Sequence, residues 1–300
     1  MIKSITVFNL LQQHFPEAKN NTLRAMVEHK RVRVDGKIVR SLKELCLPSA
    51  KLKVVDAAQA AADFASEEKR PQMLDQKIRL IYSDSDIAVI DKPSGVLTAT
   101  DEEEKRPTSA AILDEFVARH NRRAKARLVH RLDRDASGLL VFATSDRAFT
   151  HLKKQFYDHT ITRRYDAIVH GVPDRDRARL ENLVFEDERG VVCLTRDIKK
   201  GKVAVLNYQV VAVSRDKKYS HVRCTLETGR KHQIRVQLKA IGHAIVGDPI
   251  YGTKAARDGE ERPGRLALHA SFLEFTHPGT NQKVTFKSPM PRSFVGMLQQ

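Results

Sequence analysis

The stretch that most constrains this chain is L-V-H-R-L-D-R-D-A-S-G-L-L-V-F-A, residues 128–143, in which a polar loop lies between two apolar segments. Leu128-Val129 and Leu139–Ala143 predict strands, so the loop is held at both ends. Charged groups on a loop that buried strands hold are well placed for chemistry. Asp133 directly follows Leu132, and we expect its carboxylate to be partly desolvated and to need a cation. A solvated surface turn is the other interpretation of these residues.

The segment H-R-L-D-R-D-A-S-G, residues 130–138, resembles the active-site motif of the RluA family of pseudouridine synthases. The usual form of that motif is H-R-L-D followed, after two residues, by Thr-Ser-Gly, and Ala136 stands where the Thr is expected. The resemblance implies that Asp133 is the catalytic aspartate. It also predicts RNA contacts from its neighbours Arg131, His130 and Arg134.

A second segment, I-T-R-R-Y-D-A-I-V-H-G at 161–171, predicts a strand. A Tyr within a strand usually serves packing alone. The resemblance implies more, because Tyr165 falls on the active-site tyrosine of the family, with Arg163 in place of an expected Lys. The family's K-P-x-G turn is matched by Lys92-Pro93-Ser94-Gly95, but Thr98-Ala99-Thr100 replaces the V-H-P that usually follows.

A third segment, T-G-R-K-H-Q-I-R at 228–235, opens a helix with an apolar stripe that Gly242 ends. Lys231, Arg235 and Lys239 lie four residues apart on another face, which by itself indicates a solvated basic stripe. G-R-x-H-Q-I-R is a characteristic motif of the family, and the resemblance implies that Arg235 is the cation paired with the catalytic aspartate. It also predicts RNA contacts from Arg230 and Lys231. Gln237 replaces a commonly found His.

The resemblance implies an α+β fold, the pseudouridine synthase catalytic fold with a mixed, largely antiparallel sheet and flanking helices, preceded by a small S4-like α/β RNA-binding domain. The alternation of apolar residues predicts the elements of the larger part. Predicted strands are 79–82, 87–91, 203–213 and 219–226, and residues 266–270 and 272–275 resemble the closing strands of the family. Predicted helices are 109–120 and 146–157, the latter with Asp146 as N-cap. Residues 173–202 predict a peripheral hairpin.

The first part of the chain predicts two short helices, Ser4–Phe15 and Thr22–His29, and a hairpin that turns at Asp35-Gly36. This order resembles the RNA-binding domain named after ribosomal protein S4, with R-V-R-V-D-G where V-x-V-N-G is usual. The Ser-Arg pair that normally opens the second helix is missing. A helical cap carrying a solvated basic hairpin is the alternative. The phosphate-binding face would comprise Arg24, Lys30, Arg31, Arg33 and Lys37.

Residues 57–71 are rich in Ala and charge and indicate a short helix or a loose tether. We therefore predict an S4-like domain at 1–57, a linker at 58–72 and a catalytic domain at 73–300. The basic run 119–127 leads into the active-site motif, and we interpret it as an RNA backbone contact rather than a solvated face.

Charge favours a polyanionic partner, because 53 Lys and Arg against 37 Asp and Glu give a net charge of +16. An anionic membrane surface is the alternative, but no basic amphipathic anchor and no apolar run of spanning length occur. Cytoplasm is the expected location, since the N-terminus makes a poor signal peptide. The 3 Cys and 12 His are scattered, so we expect no disulfide framework, metal or cofactor. We also expect a monomer with RNA as partner and no obligate protein partner.

Uridine isomerisation, which the resemblance implies, needs cleavage of the glycosidic bond, rotation of the base and rejoining through a ring carbon. Asp133 would act at the sugar, Tyr165 would stack on the base, and Arg235 would keep the carboxylate ionised. A hydrolase with Asp133 as nucleophile is a rival, although it normally needs a second carboxylate. A non-catalytic RNA-binding or ribosome-assembly protein is another. The S4-like domain favours large-subunit ribosomal RNA as substrate, with transfer RNA as the alternative.

Overall fold

A computed structural model of the chain describes residues 4–29, 31–39, 41–56, 72–75, 78–99, 107–120, 125–258 and 263–299. The chain divides into two compact units, Met1–Pro71 and Gln72–Gln300. Apart from Gln72, the predicted linker lies outside the described residues, as do Lys30 and residues 121–124 of the basic run. None of the helices described is long and apolar enough to span a membrane.

The first unit contains two helices and two small sheets, one of two strands and one of three. Its elements are β1 Ile5–Thr6, α1 Val7–His14, α2 Asn20–Glu28, β2 Val32–Val34, β3 Lys37–Ile38, β4 Leu45–Cys46 and β5 Leu52–Val54. The predicted hairpin is present, and Asp35 and Gly36 both have positive φ, 49° and 80°, as a tight two-residue turn requires. The helix predicted from Ser4 is wrong at its start, because Ile5 and Thr6 pair with β4 instead.

The basic residues predicted for the first unit differ in their exposure. Arg24 and Lys37 are exposed to solvent. Arg31 donates from Nε to the backbone carbonyl of Val55 at 2.8 Å. Arg33 is 5% exposed and donates from Nη1 to the carbonyl of Val32. The prediction that Arg33 lies on an exposed phosphate-binding face is therefore wrong, because its guanidinium is folded back onto the backbone.

The second unit is built on one large sheet. Its strands are β6 Gln72–Met73, β7 Arg79–Ser83, β8 Ile87–Lys92, β9 Arg127–Leu128, β10 Ser137–Ala143, β11 Thr162–His170, β12 Arg177–Glu186, β13 Val192–Thr195, β14 Lys202–Val213, β15 Tyr219–Leu226, β16 Leu268–Thr276 and β17 Lys283–Lys287. The order along the sheet is β13-β12-β14-β15-β11-β16-β10-β8-β7-β6, with β9 paired to β10 and β17 to β16. The predicted hairpin within 173–202 forms the β12–β13 edge.

This sheet is mixed, as predicted. Among the described strand pairs, β10 and β16 run parallel and the others run antiparallel. Strand β10 is buried at all seven positions, which explains the continuous apolar run that follows the active-site motif. The parallel pair brings residues from distant parts of the sequence together at the middle of the sheet.

Helices flank the sheet of the second unit. They are α3 Ser109–His120, α4 Asp146–Tyr157, α5 Gln233–Ala240, α6 Lys254–Arg257 and α7 Arg292–Leu298. Helix α4 has the predicted length, but its N-cap is Ser145, whose side chain accepts from the backbone N–H of Ala148. The prediction of Asp146 as N-cap is therefore wrong by one residue. Asp146 instead lies in the first turn, where its charge suits the helix dipole.

Candidate active site

The loop that carries Asp133 is fixed at its end by the parallel strand pair. Ser137 is in register with His269, and Gly138 is in register with Ala270. Gly138 has φ of 113°, and a Cβ there would lie 2.3 Å from the backbone oxygen of Ala270. Only glycine fits this position, because both the backbone conformation and the close approach exclude a side chain. The S-G pair of the motif therefore sets where the loop enters the sheet.

The middle of the loop is held by the segment that follows β8. Thr98 donates from Oγ1 to the carbonyl of Leu132 at 2.7 Å and accepts from the N–H of the same residue at 3.2 Å. Ser94 donates from Oγ to the carbonyl of Asp135 at 2.6 Å. Both backbone groups of the residue before Asp133 are thus satisfied by one side chain. Thr98, the first residue at which the segment departs from the family pattern, supplies this contact.

Lys92 lies beneath the same loop and is fully buried. Its Nζ donates to three backbone carbonyls, those of Pro93 at 3.0 Å, Val96 at 2.7 Å and Arg134 at 3.0 Å. Burial lowers the pKa of Lys92 to about 7, against the opposing charges of Asp135 and Asp133. An ammonium has three N–H donors, and here each has an acceptor. Lys92 thereby ties the K-P-S-G turn to the active-site loop.

Asp133 and Arg235, predicted to pair, are brought together by the fold. Nη1 of Arg235 lies 3.4 Å from Oδ2 of Asp133. The Arg235 side chain is 2% exposed, whereas that of Asp133 is 19% exposed. The interpretation of Lys231, Arg235 and Lys239 as one solvated stripe is therefore wrong for Arg235. The carboxylate of Asp133 faces open space on one side and a buried cation on the other.

The closest partner of Arg235 is Asp248, which the sequence did not reveal. Nε and Nη2 of Arg235 donate to the two carboxylate oxygens of Asp248, each at 2.8 Å. Asp248 also accepts from the backbone N–H groups of Ile250 and Tyr251, each at 2.9 Å. Burial alone would raise the pKa of Asp248, but the hydrogen bonds and charge of Arg235 hold it below its usual value. The bidentate pair fixes the plane of the guanidinium.

The helix that carries Arg235 is itself held at its N-terminus and in its middle. His232 precedes α5 with φ of 53°, and its Nδ1 lies 3.0 Å from the hydroxyl of Tyr251. The Tyr251 ring is 5.1 Å from Cζ of Arg235. Gln237 donates from Nε2 to Asn182 Oδ1 at 2.8 Å and also contacts backbone carbonyls of β12 and β14. Gln237 therefore joins α5 to the sheet, away from Asp133.

One cavity of about 630 Å³ gathers most of the predicted site residues. Its lining includes Asp133, Tyr165, Arg235, Arg131, His130, Arg230 and Lys231. Arg134 lines a different recess and pairs with Asp135 at 3.0 Å. The volume suits one nucleotide, since small-ligand sites typically measure about 300 to 1,000 Å³.

Two aromatic residues differ in what they offer this cavity. Tyr165 is 6% exposed, and burial raises the pKa of its hydroxyl, so the phenol is neutral at physiological pH. His130 stacks on Phe156 with ring centroids 4.7 Å apart, and its Nε2 accepts from the N–H of Val141 at 3.1 Å. Burial and then the charge of Arg163 lower the pKa of His130 to about 3. A neutral, packed imidazole is a weak phosphate ligand, so the RNA contact predicted for His130 stays a prediction.

The remaining predicted RNA ligands have different surroundings. Arg131 is exposed at the cavity. Arg230 donates from Nε to the carbonyl of Val203 at 3.0 Å, and Lys231 pairs with Glu186. Tyr157, which the sequence did not single out, also lines the cavity and is 83% exposed. An exposed aromatic at a cavity mouth is available for stacking.

Comparisons with known proteins agree on one family. Residues 86–240 match the family described as RNA pseudouridylate synthase. The chain is 33% identical to ribosomal large subunit pseudouridine synthase D of Pseudomonas aeruginosa, over 95% of this chain and 88% of that protein. It is 32% identical to an uncharacterized RNA pseudouridine synthase of Bacillus subtilis, over 91% of this chain and 86% of that one.

Solved structures agree at the level of the fold. The structure of human RNA pseudouridylate synthase domain containing 1 matches with a TM-score of 0.58 at 23% identity, over 73% of this chain and 86% of that chain. The structure of human RNA pseudouridylate synthase domain containing 4 matches with a TM-score of 0.59 at 22% identity, over 72% and 90%. The predicted catalytic fold is thereby confirmed.

Proposed function

This chain belongs to the RluA-type family of RNA pseudouridine synthases, and on that premise we propose that it isomerises specific uridines of large-subunit ribosomal RNA. The names of its relatives in Pseudomonas aeruginosa and Nitrosomonas europaea, both ribosomal large subunit pseudouridine synthase D, support this substrate. The observation that carries the proposal is the single cavity in which a carboxylate, a buried guanidinium and a buried tyrosine meet. We propose the cytoplasm as its location.

Asp133 is the proposed catalytic residue at the ribose. It can add to the sugar and release uracil, or it can take a proton from the sugar on the way to a glycal-type intermediate. Both routes use the carboxylate of Asp133 in a closed cavity, where Nη1 of Arg235 lies 3.4 Å from its Oδ2. After rotation of the base, the ribose bonds to a ring carbon and Asp133 is released, either by breaking its bond to the sugar or by returning the sugar's proton. The ring carbon loses its proton and the ring nitrogen that left the sugar takes one up, so the product is an isomer of the substrate.

Tyr165 and Arg131 have proposed roles toward the base and its surroundings. Tyr165 stacks on the uracil, an interaction typically worth about 1 to 3 kcal/mol per base. Its neutral hydroxyl is available to help remove the proton from the ring carbon. A uridine in folded RNA must be flipped out to enter such a cavity. The exposed Arg131 then fills the vacated stack or binds a phosphate.

We further propose that residues 1–57 form an S4-like RNA-binding domain. The two helices, the tight hairpin turn and the exposed positions of Arg24 and Lys37 support it. Arg24→Gln combined with Lys37→Gln in the full chain should weaken RNA binding and reduce its salt dependence by about two phosphate contacts. Unchanged affinity and slope would contradict the proposal.

The test of the main proposal is pseudouridine mapping of total RNA from cells with and without this protein. We expect the loss of one or a few sites in large-subunit ribosomal RNA, restored by the wild-type gene and not by an Asp133→Asn variant. Sites lost in transfer RNA would overturn the proposed substrate. No site lost anywhere would contradict the activity itself in these cells.

A further inference from the structure

Arg163 is a cation of the cavity that the proposed reaction does not use. It lies on β11, two residues before Tyr165, and lines the same cavity. Its Cζ is 5.3 Å from the centroid of the Phe156 ring. Its Nε is buried and has no hydrogen-bond partner. Within the part of the chain that the structure describes, the side chain of Arg163 forms no hydrogen bond or ion pair.

Three other cations around the cavity are engaged by the protein, whereas Arg131 is exposed to solvent. Arg235 is bound by Asp248, Lys231 pairs with Glu186, and Arg230 donates to a backbone carbonyl. Leaving a buried donor without a partner typically costs about 1 to 3 kcal/mol, more for charged groups. The unsatisfied Nε of Arg163 destabilises the free protein by about this amount. This indicates that the substrate supplies the hydrogen-bond acceptor.

The neighbours of Arg163 leave space for its guanidinium, and an aromatic ring packs against one face of it. A Cβ at position 229 would lie 2.8 Å from Nη1 of Arg163, so Gly229 provides the space. Phe156 supports one face of the guanidinium through a cation–π contact. The adjacent His130 is neutral because of its lowered pKa, so it carries no competing positive charge. The edge of the guanidinium is the part left free to donate.

We propose that Arg163 binds a backbone phosphate of the RNA beside the flipped uridine. This proposal rests on the proposed function. A planar guanidinium donates two parallel hydrogen bonds to a phosphate, whereas a base carbonyl offers only one oxygen. Tyr165 is about 7 Å further along the strand, so one nucleotide can reach both side chains. Arg163 would thereby hold the backbone while Tyr165 holds the base.

The chain contains a matched control for this proposal on the same strand. Arg164 faces the opposite side of the sheet, with Cζ 3.8 Å from the Phe272 ring, and does not line this cavity. Arg163→Gln and Arg164→Gln remove the same charge one residue apart. The probe is an unmodified transcript of large-subunit ribosomal RNA, bound at increasing salt concentrations.

We expect Arg163→Gln to weaken binding about tenfold and to reduce the slope of log affinity against log salt by about 0.7 to 0.9, the value for one phosphate contact. Arg163→Lys should keep the slope, and Arg164→Gln should leave it unchanged. An unchanged slope in Arg163→Gln, or an equal reduction in Arg164→Gln, would overturn the proposal. If Arg163→Gln does not fold, Arg163→Met is measured in its place, because it keeps an unbranched side chain beside Phe156 without the charge, and an unchanged slope in that variant overturns the proposal.

Pseudouridine formation by the wild-type protein on the same transcript separates the two proposals. Failure to form pseudouridine would contradict the proposed substrate. Pseudouridine formation together with an unchanged slope in Arg163→Gln would contradict only the role of Arg163. Pseudouridine formation with the reduced slope supports both.

Discussion

The cavity has two buried or half-buried cations in different surroundings. We call the part around Arg235, Asp133 and Asp248 the floor, and the part around Arg163 and Phe156 the wall. At the floor, Arg235 is 2% exposed and contacts two carboxylates. At the wall, Arg163 stacks on a ring and has no carboxylate partner among the described residues. A buried charge pair fixes geometry at a high cost in desolvation, whereas an unpaired cation can give its hydrogen bonds to a ligand. The difference indicates that the floor is built to position groups and the wall to bind substrate.

Within the floor, the two carboxylates around Arg235 are not equivalent. Asp248 takes two hydrogen bonds from the guanidinium at 2.8 Å, and Asp133 takes one at 3.4 Å. Asp248 therefore determines where Arg235 lies. Asp133 lies near the positive charge of Arg235 but accepts only one long hydrogen bond from it. The oxygens of Asp133 therefore stay available to the ribose.

The largest expected effect comes from Asp133→Asn. The amide keeps the shape of the side chain but cannot act as nucleophile or base, so the rate of pseudouridine formation should fall by more than about 1,000-fold. RNA affinity should stay within about threefold of the wild type. Asp158→Asn, at a surface ion pair with Lys154, is the matched control. Full activity in Asp133→Asn would show that the floor does not carry the reacting group, and the contrast with the substrate-binding wall would fail.

Asp248→Asn should reduce the rate about 100-fold, because a misplaced Arg235 no longer faces Asp133 correctly. Breaking a buried pair should also destabilise the protein by about 3 to 5 kcal/mol. The pKa of Asp248 is lowered in the folded state, so this stabilisation is present above the unfolded pKa near 3.9 and is lost as the pH falls through the folded value. Denaturant unfolding measures the free energy of unfolding of both proteins. The difference between wild type and variant should be smaller below pH 4 than at pH 7.

Lys92→Met tests the support beneath the loop. The folded pKa of about 7 is below the unfolded value near 10.4, so from pH 7 upward the unfolded chain retains the proton that the folded protein loses. The free energy of unfolding of the wild type should therefore rise with pH relative to the variant, by about 2 kcal/mol between pH 7 and 8.5. Parallel curves for the two proteins would show that Lys92 does not titrate there.

The smallest expected effect is that of Arg131→Gln. This exposed side chain contributes one charge at the cavity, so we expect the KM for RNA to rise three- to tenfold while kcat falls by less than about threefold. Steady-state kinetics on the ribosomal transcript at two salt concentrations would measure both values. A large fall in kcat with unchanged KM would place Arg131 among the groups that position the reaction.

Local chemistry explains which parts of the fold could be predicted from the sequence. Asp35-Gly36 predicted the hairpin because a two-residue turn needs positive φ at both positions. The apolar run that became β10 predicted a buried strand, and the structure buries it at every position. Ile5 and Thr6 were assigned to a helix because the helical periodicity of the following residues extends over them. Their pairing with Leu45 and Cys46 depends on a distant segment.

In the site too, local motifs could be predicted from the sequence, whereas contacts between distant segments could not. The motif around Asp133 and the motif around Arg235 were visible as sequence, and the fold brings them to one cavity. Asp248 was missed because its partner lies in the preceding helix and no periodic pattern links the two. Its only local signal is the Gly-Asp-Pro turn directly after the buried Ile245 and Val246. Thr98 was seen only as a departure from the family, since its contact with Leu132 crosses between separate segments.

The parallel pairing of β10 with β16 has a consequence for synthesis of the protein. Gly138 cannot meet Ala270 until the ribosome has made the chain as far as residue 270. At about 5 to 20 residues per second, the segment that carries Asp133 waits about 7 to 26 seconds for its neighbouring strand. During that time the open edge of β10 presents apolar residues and unpaired backbone groups to the cell. The late pairing therefore exposes a buried strand of the active-site region during synthesis.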